Sequence, residues 1–182
     1  MAYSLDNLLV IGVSSRALFD LEMEEGIFQT QGLDAYRQHQ LGNENLILKP
    51  GAGFSLVKAL LKLNALTPNH RMVEVVIMSR NSTETSLRIF NSIEHYGLDI
   101  SRAVLAGGAQ LAPYLQAFNI SLFLSLHEDD VQAAIDANVA AALLYQMPEK
   151  AADLEHIRIA FDGEAVIFSD ESERIFQEQG IE

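Results

Sequence analysis

Apolar residues along this chain fall into short dense runs, separated by polar loops and by stretches of helical spacing. Asn7 to Val13 (NLLVIGV) is one such run, rich in β-branched residues, and it predicts a strand buried on both faces. Val73 to Met78 (VEVVIM) predicts a second, and Ala103 to Leu105, Ile120 to Ser125 and Ala140 to Leu144 predict three more. Between them the period changes. A loop and then a helix are expected within SSRALFDLEMEEGIFQTQG, after the first strand. Phe54, Val57, Leu60, Leu61 and Leu63 recur at helical spacing, and Thr85 to Tyr96 does the same before stopping at Gly97. Shorter helices are expected around Tyr114 to Phe118 and from Val131 to Ala137, the latter after a polar loop at Leu126 to Asp130. Repeated strand and helix alternation over roughly the first 150 residues implies an α/β, Rossmann-like fold: a mostly parallel sheet with helices on both faces. In such folds ligands collect at the carboxyl ends of the strands.

The last segment breaks this count. His156 to Phe161 (HIRIAF) predicts another strand, running into Asp162-Gly163-Glu164. An internal repeat also surfaces here, Ile27 to Asp34 (IFQTQGLD) against Ile175 to Glu182 (IFQEQGIE), with five of eight positions identical. Both copies follow an expected strand and loop, Ala17-Leu18-Phe19 facing Val166-Ile167-Phe168 after a one-residue slip. The chain is therefore expected to divide into one complete α/β lobe over residues 1–155 and the opening of a related unit over 156–182. Aligning the two units puts Val13 opposite Asp162 and Ser15 opposite Glu164, so the first lobe lacks both acids.

Composition removes several function classes. With 25 acidic against 12 basic residues and a formal charge of -13, the surface repels phosphate backbones and anionic lipid, so neither nucleic acid nor membrane is an expected partner. The absence of cysteine excludes disulfides, thiolate zinc sites and cysteine nucleophiles. Met1 to Asn7 lacks the basic and apolar regions of a secretory leader, and a cytoplasmic location is expected. The five histidines, His39, His70, His95, His127 and His156, show no metal-ligand spacing, and surface or core roles are expected for them. Gly51-Ala52-Gly53 is followed by no Lys-Ser or Lys-Thr pair, so it reads as a turn and not as a phosphate loop.

The candidate chemistry lies at Asp162-Gly163-Glu164, two carboxylates at the end of an apolar strand. A carboxylate placed there can attack phosphorus and form an aspartyl-phosphate, while a second acid protonates the leaving oxygen and later activates water. Magnesium is the expected cofactor, because oxygen ligands of this kind suit it and phosphate charge beside carboxylates needs neutralising. A solvated turn would carry the same acidic pair.

The blocks IRIAFDGEAVIFSDESE, SSRALFDLE, LKPGAGFSLVKAL, VEVVIMSRNS, NSIEHYGLDISRAVLAGG and LFLSLHEDDVQAAI, taken in order, resemble the cytosolic type I 5'-nucleotidases of the haloacid dehalogenase superfamily. The resemblance runs along nearly the whole chain. It implies a haloacid dehalogenase-like fold and magnesium-dependent hydrolysis of nucleoside 5'-monophosphates, AMP or IMP being typical, to nucleoside and phosphate. It also implies roles. Asp162 matches the nucleophile, and Glu164 stands where the superfamily has its acid/base Asp, one methylene longer. Asp162 and the backbone carbonyl of Glu164 would be the first magnesium ligands, and Asp129 and Asp130 resemble the paired acids that hold the same ion. Ser79 resembles the hydroxyl that binds phosphate, with Arg80 beside it. Plain alternatives stand next to these roles: Ser79 as a helix cap, Asp129-Asp130 as acids offsetting a helix dipole, Arg80 as partner of a surface acid.

Two functions remain open at this stage. One is a 5'-nucleotidase whose site is completed by a further half or by a partner chain, a homo-oligomer formed by exchange of the strand at Ile157 to Phe161 being the expected route. The other is a non-catalytic nucleotide-binding or regulatory lobe of a longer nucleotidase, with its pocket near Ser79 and Gly107-Gly108.

Overall fold

A computed structural model describes residues 4–145 and, beyond them, residues 160, 174–175 and 177–178. Five strands form one sheet: β1 (Leu9–Ser14), β2 (Val73–Ser79), β3 (Arg102–Leu105), β4 (Leu122–Ser125) and β5 (Ala141–Leu143). All neighbours pair in parallel, in the order β3-β2-β1-β4-β5. The helices are α1 (Ser15–Leu18), α2 (Glu22–Gly42), α3 (Phe54–Lys62), α4 (Leu87–His95), α5 (Ala112–Ala117) and α6 (Glu128–Asp136), with short 3₁₀ turns at Leu63–Leu66 and Glu84–Ser86. The expected α/β class and the Rossmann-like parallel sheet are what the chain forms.

The apolar runs become strands because both sheet faces are covered. Along β1, Ile11 and Val13 point to one face and Val10 to the other; along β2, Val73, Val75 and Ile77 oppose Val76 and Met78. The first face packs against Ala17 and Leu18 of α1, Phe54, Val57 and Leu60 of α3, and Ile89 and Ile93 of α4. The second packs against Leu115 of α5 and Ala134 of α6. Glu74 is the one charge inside these runs, and it is buried. Arg71 at 2.7 Å and Arg102 at 3.3 Å offset it, as burial of a carboxylate requires.

The turn expected at Gly51-Ala52-Gly53 is present, and its cause is close backbone approach. Pro50 bridges to Phe19, and a Cβ on Gly51 would stand 2.8 Å from the Phe19 carbonyl carbon. Two boundaries differ from expectation. Asp129 and Asp130 lie in the first turn of α6 and not in the preceding loop, because Glu128, Asp129 and Asp130 together suit the positive end of a helix. The helix after β1 is longer than its apolar pattern suggests and contains a non-helical residue, Gly32 at φ 84°. The predicted strand at 156–161, apart from Ala160, and the Asp162-Gly163-Glu164 block lie outside the described residues.

Candidate functional site

The strand order reverses at β1, which has β2 on one side and β4 on the other, so a crevice opens at the carboxyl ends of these strands. A cavity of about 530 Å³ occupies it, within the range usual for small-molecule sites.

The three central strands reach this crevice in the same way. Each ends in a buried serine, Ser14, Ser79 or Ser125. Ser14 caps α1, its Oγ accepting the Ala17 N–H at 3.2 Å. Ser79 Oγ accepts the Asn81 N–H and Ser125 Oγ accepts the His127 N–H, both at 3.1 Å. These bonds turn the chain sharply at the sheet edge and satisfy amides that the strand ladder leaves behind. Ser15, one residue beyond β1, places its Oγ 3.2 Å from that of Ser79.

The β3 loop closes one side. Gly107 and Gly108 adopt φ of 57° and 93°, and their N–H groups donate to Asn81 O at 3.2 Å and Arg80 O at 2.6 Å. Those two amides hold the loops together and are used within the protein.

Four residues singled out in the sequence, Ser79, Arg80, Asp129 and Asp130, line this one cavity. Arg80 forms an ion pair with Asp130, whose carboxylate is buried while the arginine side chain is 50% exposed. That pair spans from the end of β2 to the start of α6. Asp129 is exposed. Among the described residues no group of three or more His, Asp or Glu side chains is placed to hold a metal ion. Asp130 is engaged by Arg80, so of the two acids Asp129 is the one open to a ligand.

Several lining residues carried no signal in the sequence. Arg16 of α1 donates to His127 Nε2 at 2.7 Å, which fixes that nitrogen as an acceptor, and its guanidinium lies 3.3 Å from Glu25. His127 is exposed and reaches the site by way of the β4 turn. From α2 come Phe28 and Tyr36, whose rings meet edge to face at 6.0 Å and 78°. The Tyr36 hydroxyl accepts from Gln40 Nε2 at 3.2 Å. Burial pushes its pKa up, with the charges of Glu24 and Glu25 adding to the effect and hydrogen bonds from the Gln40 and Asn81 side chains opposing it. No local motif marks these side chains, because they become neighbours only when α2 folds over the sheet edge.

A 5'-nucleotidase family model matches residues 1–182 of the chain. Human cytosolic 5'-nucleotidase 1B is 38% identical over 182 residues, an alignment covering 97% of this chain and 30% of that protein. The chain thus spans less than a third of the length of this relative.

Proposed function

This chain belongs to the 5'-nucleotidase family, and we propose from that premise that it supplies the nucleophile motif of an enzyme hydrolysing nucleoside 5'-monophosphates of the AMP or IMP class. The observation that carries this reading is the family match along the whole chain, which includes Asp162-Gly163-Glu164. In the proposed reaction the Asp162 carboxylate attacks phosphorus, the P–O5' bond breaks, and the leaving oxygen takes a proton from Glu164. Glu164 then accepts a proton from water, whose oxygen attacks the aspartyl-phosphate, releasing phosphate and restoring Asp162. Ser79 and Arg80 are proposed phosphate-binding groups. Magnesium enters from the resemblance and from carboxylate chemistry, with Asp162 and the Glu164 carbonyl as its proposed ligands. Arg80 occupies Asp130, which leaves Asp129 as the exposed acid of that pair to meet such an ion.

A second reading has its own observation. Ser15, which the internal repeat pairs with Glu164, lies against Ser79 in the described lobe, and Val13 is the residue it pairs with Asp162, so this lobe holds neither acid of the catalytic motif. That favours a lobe which binds a nucleotide without turning it over. The division into a lobe at 1–155 and a second unit at 156–182 belongs to this proposal. So does a homo-oligomer exchanging the strand at 157–161, which light scattering would test. The human relative is named cytosolic, and a cytoplasmic location is proposed here; among the described residues no helix is long and apolar enough to cross a membrane.

The deciding experiment is phosphate release from AMP and IMP by the 182-residue chain, with and without magnesium, beside Asp162→Asn. Release that needs both magnesium and Asp162 is the expected result. Folded protein that releases none leaves the second reading in possession.

A further inference from the structure

We infer that the internal repeat is an interface: the exposed segment 27–34 of α2 is the docking surface for the second copy, residues 175–182 of the same chain. This goes beyond the proposed activity and does not depend on turnover.

A repeated stretch that served the core would be buried, and this one is not. Residues 28–34 are all exposed, with Ile27 half-buried before them. Phe28 and Leu33 are 42% and 58% exposed, and neighbouring large apolar side chains left uncovered in this way mark a contact surface. Beside Leu33, Gly32 has φ 84°, and a Cβ built on it would meet nothing within 4 Å, so its backbone is open to close approach. The second copy repeats these features in sequence: Phe176 stands for Phe28, Gly180 for Gly32 and Ile181 for Leu33. Its described residues agree. Arg174, Ile175, Gln177 and Glu178 are helical and exposed, as α2 is helical before Gly32, and Ile175 is 46% exposed.

Two like segments pair most simply about a two-fold axis, where residue i meets j and j meets i. Centred on the repeat, that pairing sets Phe28 against Ile181 and Leu33 against Phe176, so each aromatic ring is covered by an aliphatic side chain of the other copy. Asp34 then stands opposite Ile175, Glu182 opposite Ile27 and Glu178 opposite Gln31. No two acids of the paired segments face each other, which matters in a chain of formal charge -13. The first lobe is described as far as Tyr145, and residues 146–174 link it to the second copy. At up to about 3.3 Å per residue, this link reaches any face of a lobe of this size. A tethered segment is present at about millimolar effective concentration, well above that of a second molecule in dilute solution, so contact within one chain prevails. Because Phe28 and Leu33 also line the crevice, this contact holds the segment that follows Asp162 at the crevice rim.

The chain contains no cysteine, so two introduced thiols are the only ones present. The full chain carrying Phe28→Cys with Ile181→Cys is oxidised in dilute solution, and disulfide formation is followed by non-reducing electrophoresis and thiol titration. Leu33→Cys with Phe176→Cys probes the reciprocal contact. Leu66→Cys with Ile181→Cys is the control, since Leu66 is 73% exposed and precedes the amino end of β2, away from the crevice. Both reciprocal pairs are expected to close within one chain at least about 10-fold faster than the control, because a disulfide needs Cα atoms within about 7 Å. Leu33→Asp added to the first pair is expected to abolish that advantage. Rates equal to the control in both pairs overturn the docking, as does an advantage that survives Leu33→Asp. Disulfides between chains, seen as dimer bands, overturn the assignment to one chain in favour of an exchanged or second copy. Phosphate release is not read, so the nucleotidase reading stands or falls separately.

Discussion

Ser15 and Ser79 hold their hydroxyl oxygens 3.2 Å apart at the adjoining carboxyl ends of β1 and β2. The pair carries two protons and its mutual bond uses one, so one O–H remains to be donated elsewhere. Ser79 Oγ also accepts the Asn81 N–H, which orients it and ties the loop after β2 to the strand end. The arrangement is a fixed, neutral donor at the floor of the crevice. Under the proposed division into two related units, the internal repeat sets Ser15 against Glu164, a hydroxyl against a carboxylate.

The two serines should not be equivalent in stability. Ser79→Ala strands the Asn81 amide in a part-buried loop and should cost on the order of 1–3 kcal/mol, whereas Ser15→Ala removes only one bond and should cost about 0.5–1.5 kcal/mol. Urea unfolding monitored by circular dichroism ranks them. A larger loss for Ser15→Ala would show that Ser79 does not organise the loop.

Much of the fold was legible in the sequence because a strand buried on both faces must be an almost unbroken apolar run, as NLLVIGV and VEVVIM are. The Ser79 and Asp129-Asp130 positions were legible for a related reason: polar residues that directly follow such runs lie at the sheet edge. What resisted reading was α2. Its apolar side chains form no single stripe, since Phe28 and Leu33 face the crevice and not the core, and Gly32 interrupts the helix. Phe28 and Tyr36 were missed as lining residues for that reason, and Arg16 and His127 were missed because they meet across 111 positions of sequence. The strand order was equally invisible, because parallel pairing is set by crossovers and leaves no local mark.

Arg80 and Asp130 differ in what each loses when the other is removed. Arg80→Ala leaves the buried Asp130 carboxylate without its guanidinium, while Asp130→Asn leaves an arginine that is half exposed and can hydrate. Arg80→Ala should therefore be the more destabilising, on the order of 1–3 kcal/mol, and the double variant should recover part of that loss. A double-mutant cycle in urea unfolding measures the coupling; additive losses would show that the pair contributes no interaction of its own.

Glu24 and Arg88 form a more deeply buried pair, with Arg88 Nε also donating to Leu46 O at 2.7 Å and His39 lying 3.5 Å from Glu24. This network fastens α2 to α4 and to the loop after α2, and so positions the wall that carries Phe28. Arg88→Met should cost about 3–5 kcal/mol by isolating the Glu24 charge, and Arg88→Lys should not restore it fully because a lysine cannot serve both partners with the same fork. Thermal unfolding of the two variants tests this. Equal stability of Arg88→Lys and the parent chain would show that charge alone suffices.

Tyr36 gives a prediction in pH. Burial raises its pKa above the ordinary phenol value of about 10, so above that pH the folded chain retains a proton that the unfolded chain has released. Folding is therefore disfavoured progressively as the pH climbs: the contribution of neutral Tyr36 is intact below about pH 10 and is lost as pH rises through the folded value. Tyr36→Phe removes the hydroxyl bonded to Gln40 and should cost about 0.5–1.5 kcal/mol at neutral pH. It should also flatten the alkaline limb, so that the difference from the parent chain shrinks between about pH 9 and about pH 11. Urea midpoints of both proteins across that range decide it: parallel alkaline limbs would mean that another group governs stability there and that the Tyr36 hydroxyl is less confined than its surroundings imply.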